Sequence, residues 1–138
     1  MAKFIISLIA AVAFCYLAEA ATSGEYQAII NQVSNLERQG ALTRTKTALD
    51  GPAQAGVPAP PSSPLVVFCI NEIRTRAYRE INIALVTAQN QLRADAATRT
   101  DADLATVTPE ELRQQVSDVI HPAVESVVSN LESQAANC

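Results

Sequence analysis

The sequence predicts an all-α fold, a small up-and-down bundle of three or four amphipathic helices closed by one disulfide. Three segments have apolar residues at three- and four-residue spacing, and two segments without that period separate them. Cys69 and Cys138 lie almost symmetrically about Asp103, in the second separating segment. This symmetry is expected of the two ends of a helical hairpin.

The N-terminus has the features of an export signal peptide. Lys3 supplies a positive charge, residues 4–17 are predominantly apolar, and Ala18-Glu19-Ala20 is a small-x-small cleavage site. The apolar run is shorter than the roughly 20 residues that a membrane-spanning helix needs. We therefore expect cleavage after Ala20, a secreted extracellular protein and no membrane span.

On this prediction the signal peptide spans residues 1–20 and a single helical domain spans residues 21–138. The chain carries 10 basic and 14 acidic side chains, a net charge of −4, which argues against binding to nucleic acid or to an anionic membrane. The secreted part has only three aromatic residues, so its core is expected to be aliphatic. These three are Tyr26, Phe68 and Tyr78.

The first helix begins after Thr22, which forms a capping box with Glu25 three residues later. Gly40 and the threonine-rich stretch after it weaken the helix, which therefore ends either at Gly40 or near Leu49. The apolar residues expected on one face are Tyr26, Ile29, Ile30, Val33 and Leu36.

Residues 51–64 form a Pro-rich loop, because five prolines and two glycines cannot sustain a helix. The second helix follows, with Ser63 as N-cap and Pro64 at the first helical position. Its main apolar stripe is Val66, Cys69, Ile70, Ile73, Ala77, Ile81, Ala84, Leu85, Ala88 and Leu92. Three further apolar residues lie opposite that stripe, so this helix is expected to contact more than one neighbour. They are Phe68, Ile83 and Val86.

Residues 94–107 lack an apolar period, and the chain is expected to turn there. The third helix begins at Thr108 and Pro109, with Glu111 completing a capping box. Pro122 removes one backbone hydrogen bond from its interior, so a single bent helix is expected. Its apolar stripe is Leu112, Val116, Val119, Ile120, Ala123, Val124, Val127 and Leu131.

Export would remove Cys15 and leave two cysteines in an oxidising compartment. If the second and third helices are antiparallel neighbours that turn near Asp103, Cys69 and Cys138 reach the same end of the hairpin. We therefore predict a disulfide between them within one chain. The alternative is that Cys138, the last residue, pairs between two chains.

No set of residues in this sequence predicts an enzyme. His121 is the only histidine, so neither a metal site nor a catalytic triad has enough partners. Glu110 and Glu111 are explained by their place in the first turn of a helix. We expect no catalytic residue, no cofactor and no metal.

In general plan the chain resembles small exported helical proteins, including carriers of odorants and lipids. Their frameworks of four or six cysteines are absent, and the resemblance implies no binding residues. The favoured hypothesis is a monomeric, non-enzymatic carrier of a small apolar ligand or lipid, with a pocket lined by Ile30, Val33, Ile73, Ala77, Ile81, Val119, Ala123 and Val127. The alternative is a secreted interaction or structural protein, or a homodimer, whose partner surface is formed by Phe68, Ile83 and Val86.

Overall fold

The computed structural model describes residues 20–51 and 63–138, which form three α-helices. These are α1 (Ser23–Asp50), α2 (Pro64–Thr98) and α3 (Pro109–Ala136), and each packs against the other two. The predicted all-α bundle is confirmed with three helices, and the described residues contain no strand. The predicted signal peptide, apart from the exposed Ala20, and residues 52–62 of the Pro-rich loop lie outside the described part of the chain.

The predicted helix starts are confirmed by their capping hydrogen bonds. The Thr22 hydroxyl accepts from the Glu25 backbone N–H at 3.2 Å, and the Glu25 carboxylate accepts from the Thr22 N–H at 2.8 Å. The same reciprocal pair joins Thr108 and Glu111 at the start of α3. Such caps satisfy backbone donors that the first turn of a helix leaves unpaired.

The first helix does not end at Gly40 but continues to Asp50. Gly40 is exposed and costs only about 1 kcal/mol relative to alanine, whereas the next turns bury Ala41, Thr45 and Leu49 in the bundle. Tertiary packing therefore outweighs the weak helix propensity. The helix ends at Gly51, whose φ of 55° is a backbone conformation that residues other than glycine rarely adopt.

The core is aliphatic, as predicted, and all three helices contribute to it. Its largest fully buried side chains include one residue that no helix supplies: Leu104 lies in the turn between α2 and α3. The others are Ile30, Ile81, Leu85, Leu112, Ile120, Leu131, Val116 and Val128. Tyr26 is also buried, and its hydroxyl donates to the Asp95 carboxylate at 2.7 Å. Burial and this hydrogen bond raise the pKa of Tyr26 to about 12.

One residue of the predicted faces is exposed, and one buried residue was not predicted. Leu36 is 65% exposed. Each three-residue step along a helix rotates the side-chain direction by about −60°. Leu36 lies two such steps after Ile30 and therefore points away from the buried face. On α3 the buried face passes through Val128, while Val127 is only partly buried. On α3, residues at four-residue spacing stay on the side that faces the neighbouring helices, from Leu112 to Val128.

The turn between α2 and α3 is shorter than predicted, because α2 continues to Thr98. Thr100 donates both its backbone N–H and its hydroxyl to the Asp103 carboxylate, at 2.7 and 2.9 Å. These bonds lower the pKa of Asp103. They also hold the turn so that Leu104 points into the core.

The disulfide between Cys69 and Cys138 is present within one chain, with the two Cα atoms 5.8 Å apart. It joins an early turn of α2 to the residues after the end of α3. Pro122 lies within α3 and does not interrupt it. The disulfide supports the prediction of α2 and α3 as an antiparallel hairpin.

Candidate functional site

A partly enclosed cleft of about 330 Å³ lies between the last turns of α1 and the middle of α2. Its volume is at the lower end of the range for small-molecule sites in proteins, roughly 300–1,000 Å³. Most of the surface that it presents is apolar. The lining residues are Leu42, Thr45, Lys46, Leu49 and Asp50 of α1, and Arg74, Ala77 and Tyr78 of α2.

The inner part of the cleft contains a polar group without a hydrogen-bond partner. Thr45 is only 3% exposed, and its hydroxyl oxygen has no partner among the described residues. Other hydroxyls on α1 do bond to the carbonyl one turn earlier: Ser34 to Ile30 at 2.6 Å and Thr47 to Thr43 at 3.0 Å. A buried hydroxyl left unpaired costs about 1–3 kcal/mol. Because Thr45 also lines the cleft, we take its hydroxyl as the candidate polar group of this site.

The rim of the cleft is charged. Asp50 accepts from the Lys46 ammonium at 2.9 Å and from the Arg74 guanidinium at 3.0 Å. Both cations are well exposed, at 72% and 56% of their side-chain surfaces. Two positive side chains and one carboxylate leave the rim with a formal charge of +1.

The opposite side of α1 is closed by charge pairs with α3. The Arg44 guanidinium donates to Glu125 at 2.5 Å and to Glu132 at 2.8 and 3.1 Å. Hydrogen bonds from Arg44, and then from Ser129, lower the pKa of Glu125. These pairs are exposed, so each contributes little to stability. They bridge α1 and α3 directly, on the side of α1 away from the cleft.

Most residues of the predicted pocket lie in the common core and not in this cleft. Only Ala77 lines it. Four of the others are buried between the helices, namely Ile30, Val33, Ile73 and Ile81. The three on α3, namely Val119, Ala123 and Val127, are partly buried and pack against that core.

The predicted partner residues are exposed on the outer face of α2. Phe68, Ile83 and Val86 have 69%, 59% and 48% of their surfaces accessible. Tyr78, which the sequence analysis had not assigned to this surface, is exposed beside them. These four residues are called the outer α2 face below.

His121 is exposed, and its Nδ1 lies 3.1 Å from a carboxylate oxygen of Glu37 on α1. Within residues 20–51 and 63–138, no group of His, Cys, Asp or Glu side chains is placed to hold a metal ion. In the same ranges, no helix is long and apolar enough to cross a membrane.

Comparisons of this chain with models of protein families, with curated proteins and with solved structures found no match.

Proposed function

We propose that this protein is a secreted, non-enzymatic carrier that binds a small apolar ligand with a hydrogen-bonding group in the cleft between α1 and α2. The observation that carries the proposal is the buried, unpartnered hydroxyl of Thr45, a residue that lines a cleft with a mostly apolar surface. Pockets for small ligands combine an apolar lining with a few polar groups that orient the ligand. Thr45 is such a group, and Leu42, Leu49 and Ala77 supply the apolar lining.

Secretion is supported by the charged, apolar and small-x-small segments at the N-terminus. It is also supported by the disulfide, since disulfides persist mainly in oxidising compartments. The small volume of the cleft favours a short ligand over a sterol or a two-chain lipid.

The first experiment is native mass spectrometry of protein secreted by its natural producer. A carrier should show a small mass addition that is lost on denaturation. Removal of the ligand should lower the melting temperature, because a ligand at 100 times its Kd stabilises the folded state by about 2.7 kcal/mol.

The second experiment compares two threonines on the same helix. Thr45→Val should weaken binding, because it removes the hydroxyl. The free protein should be as stable as before or more stable, since valine has nearly the volume of threonine and leaves no buried hydroxyl unpaired. Thr47→Val is the matched control, because the Thr47 side chain is exposed and bonds to Thr43 outside the cleft. Equal effects of both changes on binding would contradict the assignment of the site.

A third variant tests the cleft by filling it. Ala77→Leu adds three carbon atoms to the lining and should abolish binding. Circular dichroism must show that the helices are retained. A folded Ala77→Leu protein that binds as tightly as the unsubstituted protein would place the ligand elsewhere.

A second candidate function is self-association through the outer α2 face. Phe68 and Val86 lie on the same side of α2, about 27 Å apart at a rise of 1.5 Å per residue. An antiparallel two-fold arrangement centred near Tyr78 would set Phe68 of one copy against Val86 of the other.

Sedimentation velocity over a range of concentrations tests this candidate. A dimer should dissociate on Phe68→Ser, since that change removes an exposed aromatic side chain without opening the core. Leu36→Ser is the control, because Leu36 is equally exposed but lies on α1. A monomer at all concentrations would exclude self-association.

A further inference from the structure

The charges around the cleft restrict the kind of ligand that it can hold. Of the eight lining residues, the charged ones are Lys46, Asp50 and Arg74. Both cations contact the same carboxylate, with nitrogen–oxygen distances of 2.9 and 3.0 Å. The cleft lining therefore carries one formal positive charge in excess, although the whole chain has a net charge of −4.

We propose that the ligand is a short amphiphile with a carboxylate head, such as a medium-chain fatty acid. This inference rests on the proposed carrier function. A carboxylate supplies acceptor oxygens for the two rim cations, which line the same cleft as the aliphatic residues. Arginine is suited to this role because its planar guanidinium donates paired hydrogen bonds to carboxylates.

The remaining surface accommodates the hydrocarbon chain. Leu42, Leu49 and Ala77 contribute aliphatic side chains to the lining, and Tyr78 contributes an aromatic one. Lys46 and Arg74 are exposed, so both can turn from Asp50 toward an entering head group without any change in the core. A neutral head group gains no such ionic contact. A cationic head group meets two like charges.

The test uses three probes with the same ten-carbon chain: decanoate, 1-decanol and decylamine. Each is titrated into protein freed of ligand, below its aggregation concentration, by calorimetry. Decanoate should bind at least tenfold more tightly than decanol, and decylamine should bind most weakly. Raising the salt concentration should weaken decanoate binding and leave decanol binding nearly unchanged, because the rim is exposed to screening.

Variants then assign the preference to the rim. Arg74→Gln should remove most of the tenfold advantage of decanoate over decanol. Arg79→Gln is the matched control, since Arg79 is an exposed arginine on the same helix outside the cleft. It should keep the preference for the acid.

The possible failures are distinguishable. If decanoate and decanol bind equally, and Thr45→Val weakens both, the carboxylate inference is wrong and the carrier proposal stands. If none of the three probes binds, both fail. If decanoate binding survives Ala77→Leu in a folded protein, the acid is held outside the cleft and the inference is overturned.

Discussion

The backbone nitrogen of Ala21 donates to the carbonyl oxygen of Val107 at 2.7 Å, and Ala21 is only 1% exposed. This bond joins the residue before the N-cap of α1 to the residue before the N-cap of α3. Beside it, the Ser23 N–H donates to the Asp101 carboxylate at 2.8 Å, which lowers the pKa of Asp101. The start of the first helix is therefore held against the turn that connects the other two.

Signal cleavage after Ala20 would make Ala21 the first residue of the secreted protein, and we predict this N-terminus. The new ammonium group can still donate to Val107, and Ala20, which would be lost, is exposed. Intact-mass measurement of the secreted protein tests the position. A retained Lys3 would contradict the export prediction.

The same contact predicts the effect of trimming. A form that begins at Ser23 loses the Thr22 cap and the Ala21 bond, and its free energy of unfolding should fall by about 2 kcal/mol. A form that keeps Ala20 is the control and should match the form that begins at Ala21. Chemical denaturation compares the three. Equal stability of all three would show that the Ala21 contact contributes nothing.

The disulfide predicts a loss of stability without a loss of fold. Cys69→Ser should lower the free energy of unfolding by up to about 4 kcal/mol on the chain-entropy estimate for a loop of this length. The helices should remain, because they are capped and packed independently of the bond. Circular dichroism with urea denaturation measures both, and reduction of the unsubstituted protein should reproduce the result.

Much of the fold was predictable because its signals are local. Thr108, Pro109 and Glu111 define a helix start within four residues, and the structure confirms it. The pairing of Cys69 with Cys138 followed from the symmetry of the hairpin. The burial of Leu104 was not predictable in this way, because a single apolar residue in a turn carries no period.

The candidate site was less predictable, since it depends on contacts between helices. The apolar period identifies the buried face of each helix, but it does not show where a cleft remains between two packed helices. Thr45 belongs to a threonine-rich stretch that signalled only a weak helix, and its burial depends on how α1 packs in the bundle. The pairing of Asp50 with Arg74 joins the end of one helix to the interior of another, and no spacing rule relates them.

The capping box of α3 predicts sensitivity to acid. Hydrogen bonds from the Thr108 backbone and hydroxyl lower the pKa of Glu111 below its ordinary value. The ionised carboxylate thus stabilises the folded state above about pH 4.3, and this contribution is lost as the pH falls through the lowered pKa. Glu111→Gln should reduce the slope of stability against pH in that acidic range.

Urea denaturation between pH 2.5 and 6 measures this slope. Glu110→Gln is the matched control, since it removes a carboxylate from the same turn without touching the hydrogen bonds of the capping box. A slope reduced equally by both changes would assign the effect to the charge of the turn and not to the cap.

Pro122 is exposed within α3, and its ring prevents the hydrogen bond that residue 122 would otherwise donate to the carbonyl of Asp118. Alanine restores that donor and removes the ring clash, and proline in a helix interior costs about 3 kcal/mol relative to alanine. Pro122→Ala should therefore raise the melting temperature. Ala136→Ser, an exposed change in the last turn of the same helix, is a control for substitution in α3. A lower melting temperature for Pro122→Ala would show that the packing of the neighbouring Ile120 and Val124 in the core requires the proline.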